Sequence, residues 1–148
     1  MTPPELVLLR EGNGRVFAIE MSDGERRIRG VGRIEPKTLL ADIKIGDRIS
    51  IGTKIFTRIH PGLPELRTSM ARRAQVITPK DAGLLIAWMG IGQNDRVLEA
   101  GFGSGGLAMH LARVLGPNGH LISVERRDDH AEVGEVNLRR CEATFSDM

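Results

Sequence analysis

The chain has 148 residues, a length that suits one domain or two small ones. Hydrophobic residues make up 41% and charged residues 27%, as in globular proteins, and no stretch approaches the ~18 consecutive apolar residues of a membrane span. The single cysteine, Cys141, excludes an intramolecular disulfide, and no Cys and His residues have the spacing of a zinc site. We therefore expect a cytoplasmic protein without a metal and without a membrane partner.

The charges are divided unevenly along the chain. The formal net charge is +2, but residues 1–80 carry 15 basic and 9 acidic side chains, whereas residues 81–148 carry 6 and 10. The basic part is rich in arginine, whose guanidinium group suits phosphate recognition; a solvated basic face is the alternative. Aromatic residues are only 3%, which argues against a platform for stacking bases. The arginines of this part include Arg26, Arg27, Arg29, Arg33, Arg72 and Arg73.

The first sixty residues have the pattern of short strands separated by glycine-containing turns. The predicted strands are residues 5–10, 15–21, 26–29, 48–51 and 54–59. Short strands at close spacing predict a small, curled antiparallel sheet or barrel. The pattern breaks near residues 60–64, so we predict a small β-barrel-like domain over 1–64 and a second domain over 65–148.

A helix start is visible in the second part of the chain. Thr78 is followed by Pro79, a favoured first helical residue, and Asp81 stands at the position of a capping-box acid. These residues predict a helix that continues from Lys80 to Met89 and stops at the following glycine.

The next elements form a repeating strand and helix pattern. Residues 95–100 and 121–125 are predicted as buried strands, and helices are predicted at about 107–115 and 130–142. A glycine-rich loop joins the first strand to its helix, which is typical of a parallel βαβ unit. The predicted fold class is therefore α/β, a small N-terminal antiparallel β domain followed by the first part of a Rossmann-like domain.

The glycine-rich loop is the most informative segment. It has the sequence Glu99-Ala-Gly101-Phe-Gly103-Ser-Gly105-Gly106, and glycines at a strand-to-helix turn let a ligand approach the backbone and the free N–H groups of the helix. Glu125 follows 24 residues after Gly101, at the end of the next strand, where a carboxylate can bind ribose hydroxyls.

Two classes of ligand fit this pattern. A dinucleotide would place its pyrophosphate on the loop, but Glu99 directly before the glycines would repel it. S-adenosyl-L-methionine carries a positively charged ammonium and a positively charged sulfonium group, which the Glu99 carboxylate would attract. The pattern therefore favours a methyl donor. The alternatives are an ordinary tight turn for the glycines, an exposed strand-end acid for Glu99, and an ion pair with Arg126 or Arg127 for Glu125.

With these residues, the chain resembles the tRNA (adenine-N1)-methyltransferases that modify the T-loop adenine, a family with an N-terminal β domain and a class I methyltransferase domain. The resemblance rests on three blocks, 72–81, 96–107 and 119–130, and covers about 65–142 in unbroken register. The N-terminal domain matches only in position, size and strand pattern.

The resemblance implies a set of cofactor-binding residues. Ala100 to Leu107 would line the methionine part of S-adenosyl-L-methionine, Glu125 would hold the ribose hydroxyls, and His130 would lie near the adenosine or simply begin a helix. The full predicted set is Gln75, Val76, Ile77, Thr78, Pro79, Glu99, Ala100, Gly101, Phe102, Gly103, Ser104, Gly105, Gly106, Leu107, Glu125 and His130. Arg72 and Arg73 would contact RNA phosphates, with a solvated face as the alternative for each.

The chain departs from the family at three positions. The family usually has Tyr where this chain has Thr78, and a small or hydroxylated residue where it has Phe102. It often has Thr where this chain has Ala108. The large Phe102 is expected either to narrow the cofactor site or to pack against the adjoining helix. The family's later aspartate, which faces the target base, would lie beyond Met148, so no catalytic residue is assigned.

We thus expect the N-terminal portion of an S-adenosyl-L-methionine-dependent tRNA adenine-N1 methyltransferase. The resemblance further implies a homo-oligomer, a tetramer, with tRNA as its partner. One alternative is an RNA-binding or assembly subunit that keeps a relic of the cofactor fold. The other is an oxidoreductase that uses NAD, against which Glu99 argues.

Overall fold

Short antiparallel strands build the first part of the chain. The computed structural model describes residues 5–145, and the chain divides after Ser69 into two units, Met1–Ser69 and Met70–Met148. The elements of the first unit are β1 Leu6–Glu11, β2 Val16–Glu20, β3 Arg26–Ile28, β4 Gly32–Ile34, α1 Pro36–Leu40, β5 Arg48–Ile51, β6 Lys54–Ile59 and α2 Leu63–Ser69. The division lies five residues after the predicted one at 64, because α2 belongs to the first unit.

Two antiparallel sheets surround the core of the first unit. Four strands form one sheet in the order β2-β1-β6-β5, and the hairpin β3-β4 forms the other. Leu9, Ile19, Leu40 and Phe56 are at most 1% exposed and lie at the centre of the core. The predicted antiparallel β domain is confirmed, with β2 and β5 as the edge strands of the four-stranded sheet within the described residues.

Three elements of this unit were not predicted from the sequence. These are β4, α1 and α2, which have three, five and seven residues. Such lengths are too short for a hydrophobic period to appear, and α1 begins at Pro36 without a side-chain cap. Tertiary burial of Ile34 and Leu40 fixes β4 and α1 in place instead.

The second unit contains three helices and a pair of parallel strands. Its elements are α3 Pro79–Met89, β7 Arg96–Ala100, α4 Gly106–Leu115, β8 His120–Val124 and α5 Asp128–Thr144. The predicted start of α3 is confirmed, because the Thr78 side chain accepts a hydrogen bond from the Asp81 N–H at 3.2 Å. Its end is confirmed too, since Gly90 has the left-handed φ of 65° that is typical of a helix C-terminus.

The parallel strands are covered by helices on one face. Leu121 and Ser123 line a cavity of about 440 Å³ together with residues of α4 and α5. The alternate residues Leu98, Ile122 and Val124 are 70%, 53% and 48% exposed. Predicting both strands as buried was therefore wrong, because successive side chains point to opposite faces and, among the described residues, only one face is covered.

Three structural findings concern membrane-spanning helices, metal sites and the reactivity of the single cysteine. No helix within residues 5–145 is long and apolar enough to cross a membrane. In the same residues, no group of three or more His, Cys, Asp or Glu side chains is arranged to hold a metal ion. Cys141 is fully buried in α5, and burial raises the pKa of its thiol to about 12, so it is a packing residue and not a nucleophile.

Candidate functional site

The glycine loop lies between the end of β7 and the start of α4. The N–H groups of Gly101 and Phe102 both donate to the Val124 carbonyl oxygen, at 2.8 and 3.1 Å. Gly101 has a φ of +96°, and a Cβ atom placed on it would meet nothing within 4 Å. The loop is thus tied to the end of β8, while its backbone at Gly101 stays open to an approaching molecule.

The Glu125 carboxylate closes the same loop. Its Oε2 accepts a hydrogen bond from the Gly103 N–H at 2.8 Å, and its Oε1 accepts from the N–H groups of Arg126 and Arg127 at 2.9 and 3.0 Å. The Arg127 and Gly103 N–H groups are the main causes that lower the pKa of Glu125, and nearby His130 adds a smaller contribution. Glu125 is therefore an ionised acceptor beside the loop.

The ion pair considered for Glu125 takes a different form in the structure. Both arginines reach Glu125 through their backbone N–H groups. The Arg127 guanidinium instead binds the Asp129 carboxylate, with its Nε and Nη2 atoms at 3.1 and 3.0 Å. Three of the roughly four acceptor positions of the Glu125 carboxylate are thus occupied by N–H groups, and the remaining position is on Oε2.

Two buried polar side chains fasten the segment before α3 to the glycine loop. Ser104, 1% exposed, accepts hydrogen bonds from the N–H groups of Arg73 and Ala74, each at 3.0 Å. The Asn137 side chain accepts from the Ala71 N–H at 3.0 Å and donates to the carbonyl oxygens of Ala71 and Ser104 at 2.8 and 2.9 Å. The loop is therefore held on a satisfied polar network rather than on apolar contacts alone.

Sequence reasoning included Ser104 only as part of the loop and missed Asn137. The partners of Asn137 at Ala71 are 66 residues away in sequence, so no local pattern shows the contact. A polar residue in the buried stripe of α5 is the one signal that could have pointed to it, because a buried amide needs hydrogen-bond partners.

Phe102 packs against α5. A Cβ atom placed on Gly134 would lie 2.5 Å from Phe102 Cε1, and one placed on Gly105 would lie 3.3 Å from Phe102 Cε2. The ring therefore lies over these two glycines. Of the two expectations for this large residue, packing against the adjoining helix describes its position.

Glu99 lies in the interior of the second unit. It is 7% exposed, so it is not an exposed strand-end acid, and Ser123 Oγ donates to its Oε2 atom at 2.6 Å. Ser123 is its register partner on β8, so both side chains belong to the helix-covered face. Burial raises the pKa of Glu99, and the Ser123 hydrogen bond offsets only part of this effect.

The raised pKa predicts that Glu99 destabilises the ligand-free protein at neutral pH. The folded state holds the Glu99 proton more tightly than the unfolded state, so stability falls as pH rises from the ordinary pKa of 4.5 through the raised value. We expect Glu99→Gln, which still accepts the Ser123 hydrogen bond, to raise the melting temperature at pH 7 by about 3 °C, or ~1 kcal/mol. At pH 4.5 the difference should shrink.

Thermal unfolding followed by circular dichroism at both pH values measures this effect. Glu132→Gln is the matched control, because Glu132 lies exposed on α5 and loses the same charge. A Glu99→Gln protein that melts below the wild type at pH 7 would contradict the burial argument.

The other predicted cofactor residues lie around the loop or next to it. Thr78 and Pro79 form the start of α3, so the Thr78 side chain is engaged as a helix cap. A Cβ atom on Gly106 would collide with a Val76 methyl group, which shows that Val76 covers the first turn of α4. The remaining members are exposed or half-buried and border the same segments: Gln75, Ile77, Ala100 and Leu107.

The two predicted RNA-binding arginines differ in their surroundings. Arg72 is exposed. The Arg73 side chain donates from Nε to Asp129 Oδ2 at 3.0 Å. Arg127 and then Arg73, as hydrogen-bond donors, lower the pKa of Asp129 to about 2. The charge of Arg73 is therefore partly neutralised inside the second unit.

Comparison with known proteins relates the chain to tRNA methyltransferases. The tRNA (adenine(58)-N(1))-methyltransferase TrmI of Thermus thermophilus is 33% identical over 140 residues, which are 94% of this chain and 54% of that protein. Among solved structures, a SAM-dependent O-methyltransferase of Thermotoga maritima matches with a TM-score of 0.78 and 25% identity, over 95% of this chain and 52% of the other. TrmI of Aquifex aeolicus matches in fold with a TM-score of 0.70 and 23% identity, over 95% and 53% of the two chains.

These likenesses confirm the predicted fold class and the resemblance found in the sequence. The chain spans about half the length of the TrmI protein it matches. A family model described as the tRNA methyltransferase complex GCD14 subunit covers residues 56–144, more than half of the chain. The chain is therefore a member of the tRNA methyltransferase complex GCD14 subunit family.

Proposed function

We propose that this chain is the cofactor-binding part of an S-adenosyl-L-methionine-dependent tRNA (adenine-N1)-methyltransferase. The observation that carries the proposal is the glycine loop closed by an ionised Glu125, which leaves the backbone at Gly101 open. The names of the related TrmI proteins support the substrate and the reaction.

The described residues fit S-adenosyl-L-methionine. Gly101 has no atom within 4 Å of its missing side chain, so a ligand can lie against the loop backbone. Glu125 would hold the ribose by accepting a hydroxyl at the acceptor position that its three N–H partners leave free on Oε2. His130, whose charge influences Glu125, would lie near the adenosine.

Glu99 would interact with the ammonium group of the donor. It is buried and ionises less readily than an ordinary Glu, and its hydrogen-bond partner is the Ser123 hydroxyl. A cationic ligand close to it would favour the charged form and offset the cost of its burial. An anionic pyrophosphate would increase that cost, which disfavours NAD at this loop.

The proposed methyl transfer requires no covalent bond between this chain and the substrate. When bound, S-adenosyl-L-methionine supplies an electrophilic methyl group, which a ring nitrogen of adenine can take directly. The residues described here would bind and orient the donor, and correct placement of the reacting atoms accounts for much of the rate enhancement in such transfers. The target adenine would leave its base stack to reach the site.

The proposed macromolecular partner is tRNA, and the proposed assembly is a homotetramer in the cytoplasm. The family model describes a subunit of a complex, which supports assembly with further chains. Arg72 would be available to RNA phosphates, whereas Arg73 would first have to leave Asp129.

Isothermal titration calorimetry with S-adenosylhomocysteine tests the cofactor assignment. We expect heat of binding at one site per chain, because the product keeps the ribose and the ammonium group. NADH is the comparison ligand, and its fluorescence should not increase on mixing. A folded protein that gives no heat with S-adenosylhomocysteine, or that enhances NADH fluorescence, would overturn the assignment.

A further inference from the structure

The hairpin β3-β4 is firmly attached to the core of the first unit. Val31 and Ile34 are 6% and 5% exposed. At the turn, a Cβ atom on Gly30 would lie 2.6 Å from Phe17 Cε1, so the backbone approaches the phenyl ring closely. The Lys54 ammonium donates to the Gly30 carbonyl oxygen at 3.0 Å. The hairpin is therefore a fixed scaffold for the side chains it carries.

The strand register places two arginines directly opposite each other. Arg27 pairs with Arg33, one position away from the pair of Ile28 with Gly32. Since successive side chains alternate and Ile34 points into the core, Arg27 and Arg33 share the outer face. Like charges on directly opposed residues destabilise a hairpin. The opposed pair of Arg27 and Arg33 thus destabilises the fold, and folding does not explain why both residues are arginine.

The positive charge of this face is poorly compensated. Within residues 5–145 the structure gives no ion pair to Arg27 of this face or to Arg29 at the turn. Arg33 pairs with Glu25 at 3.8 Å, but both side chains are about two-thirds exposed, at 69% and 65%, so the pair is weak. Residues 27–32 and Lys54 line a cleft of about 630 Å³ at the turn of the hairpin.

We propose that this arginine hairpin, Arg27, Arg29 and Arg33, binds the phosphate backbone of folded RNA. The inference rests on the proposed function, to which it adds a binding surface for tRNA in the first unit. Phosphates would relieve the repulsion between the opposed guanidinium groups. Each phosphate can accept two parallel hydrogen bonds from the N–H groups of one guanidinium. Binding would release counterions and depend strongly on salt.

The surroundings of the hairpin favour backbone contacts over base readout or a protein partner. Of the two phenylalanines of the unit, Phe56 is fully buried, and the half-buried Phe17 packs edge to face against it with ring centroids 5.8 Å apart, so they offer no stacking platform. The apolar residues of the hairpin point inward, whereas a protein interface depends on a buried core with few charges.

The test is filter binding of unfractionated tRNA to the full chain, without cofactor, from about 50 to about 300 mM KCl. We expect Arg27→Gln combined with Arg33→Gln to weaken binding about tenfold and to reduce the salt slope by about 2. Because the substitutions remove a like-charge pair, the melting temperature should stay equal or rise.

Arg10→Gln combined with Arg48→Gln is the matched control. Both residues are exposed in β1 and β5 of the same unit, and the pair removes the same net charge. An equal loss of RNA binding in both double variants would overturn the proposal in favour of a general charge effect. Unchanged binding in the hairpin variant would also overturn it and would direct attention to an acidic protein partner.

The outcome can be separated from that of the proposed function. The hairpin variant should bind S-adenosylhomocysteine with the wild-type affinity, because its substitutions lie outside the cofactor loop. A wild type that binds tRNA but no S-adenosylhomocysteine would refute the cofactor assignment and leave the RNA surface standing. A wild type with the reverse behaviour would refute the RNA surface alone.

Discussion

Replacing Glu125 with alanine is expected to weaken S-adenosylhomocysteine binding by at least about 100-fold. The change removes a charged acceptor, whose hydrogen bonds are stronger than those between neutral groups, from the ribose side of the proposed site. It also leaves the Gly103 N–H, which belongs to a buried residue, without its acceptor at 2.8 Å. The loop would then lose one of the contacts that define its shape. Calorimetric titration measures the affinity.

The control for this variant is Glu132→Ala, which removes the same charge from an exposed position of α5. It should leave the affinity unchanged. Because the pKa of Glu125 is lowered from the ordinary 4.5, its contribution is fully present above that value and lost only as pH falls through the lower pKa of the folded state. A decrease in the wild-type affinity between pH 8 and pH 6 that is absent from the Glu125→Ala variant would contradict this assignment.

Replacing Gly134 with alanine is expected to destabilise the second unit by about 2 kcal/mol and to weaken cofactor binding with it. The new Cβ atom would lie 2.5 Å from Phe102 Cε1 and 2.7 Å from the Gly103 carbonyl oxygen. The phenyl ring can turn away, but the backbone carbonyl cannot move without shifting the loop away from Glu125. Urea unfolding measures the loss of stability.

Gly83→Ala provides the matched control. Gly83 also lies within a helix, α3, but a Cβ atom there would meet nothing within 4 Å. Alanine should stabilise this helix by up to ~1 kcal/mol, so the same substitution has opposite signs at the two sites. Adding Phe102→Ala to Gly134→Ala should not restore stability, because the contact with the Gly103 carbonyl oxygen remains. Full recovery would show that the ring alone caused the effect.

Local sequence signals predicted the order of the elements in the second unit, although not that one face of β7 and β8 is exposed. The hydroxyl of Thr78 and the proline after it begin α3, and Gly90 ends it, because each acts on backbone groups within a few residues. The position of Glu125 beside the loop also followed from a local rule, since parallel strands end at the same edge of a sheet. The structure adds that backbone N–H groups occupy three of its roughly four acceptor positions.

Long-range features could not be predicted from one sequence. Glu99 and Ser123 are 24 residues apart, and only the register of β7 and β8 brings them together. The opposition of Arg27 and Arg33 likewise required β4, a three-residue strand without a visible alternation. In these cases the tertiary arrangement, rather than any local preference, decides which side chains meet.

The carboxylate that closes the glycine loop also affects the entropy of ligand binding. The bond between Glu125 and the Gly103 N–H fixes the bend before a nucleoside arrives. Ordering a flexible loop costs conformational entropy at every residue, and here folding has already met that cost. Association can therefore proceed on a preorganised surface, and more of the interaction energy remains available as affinity.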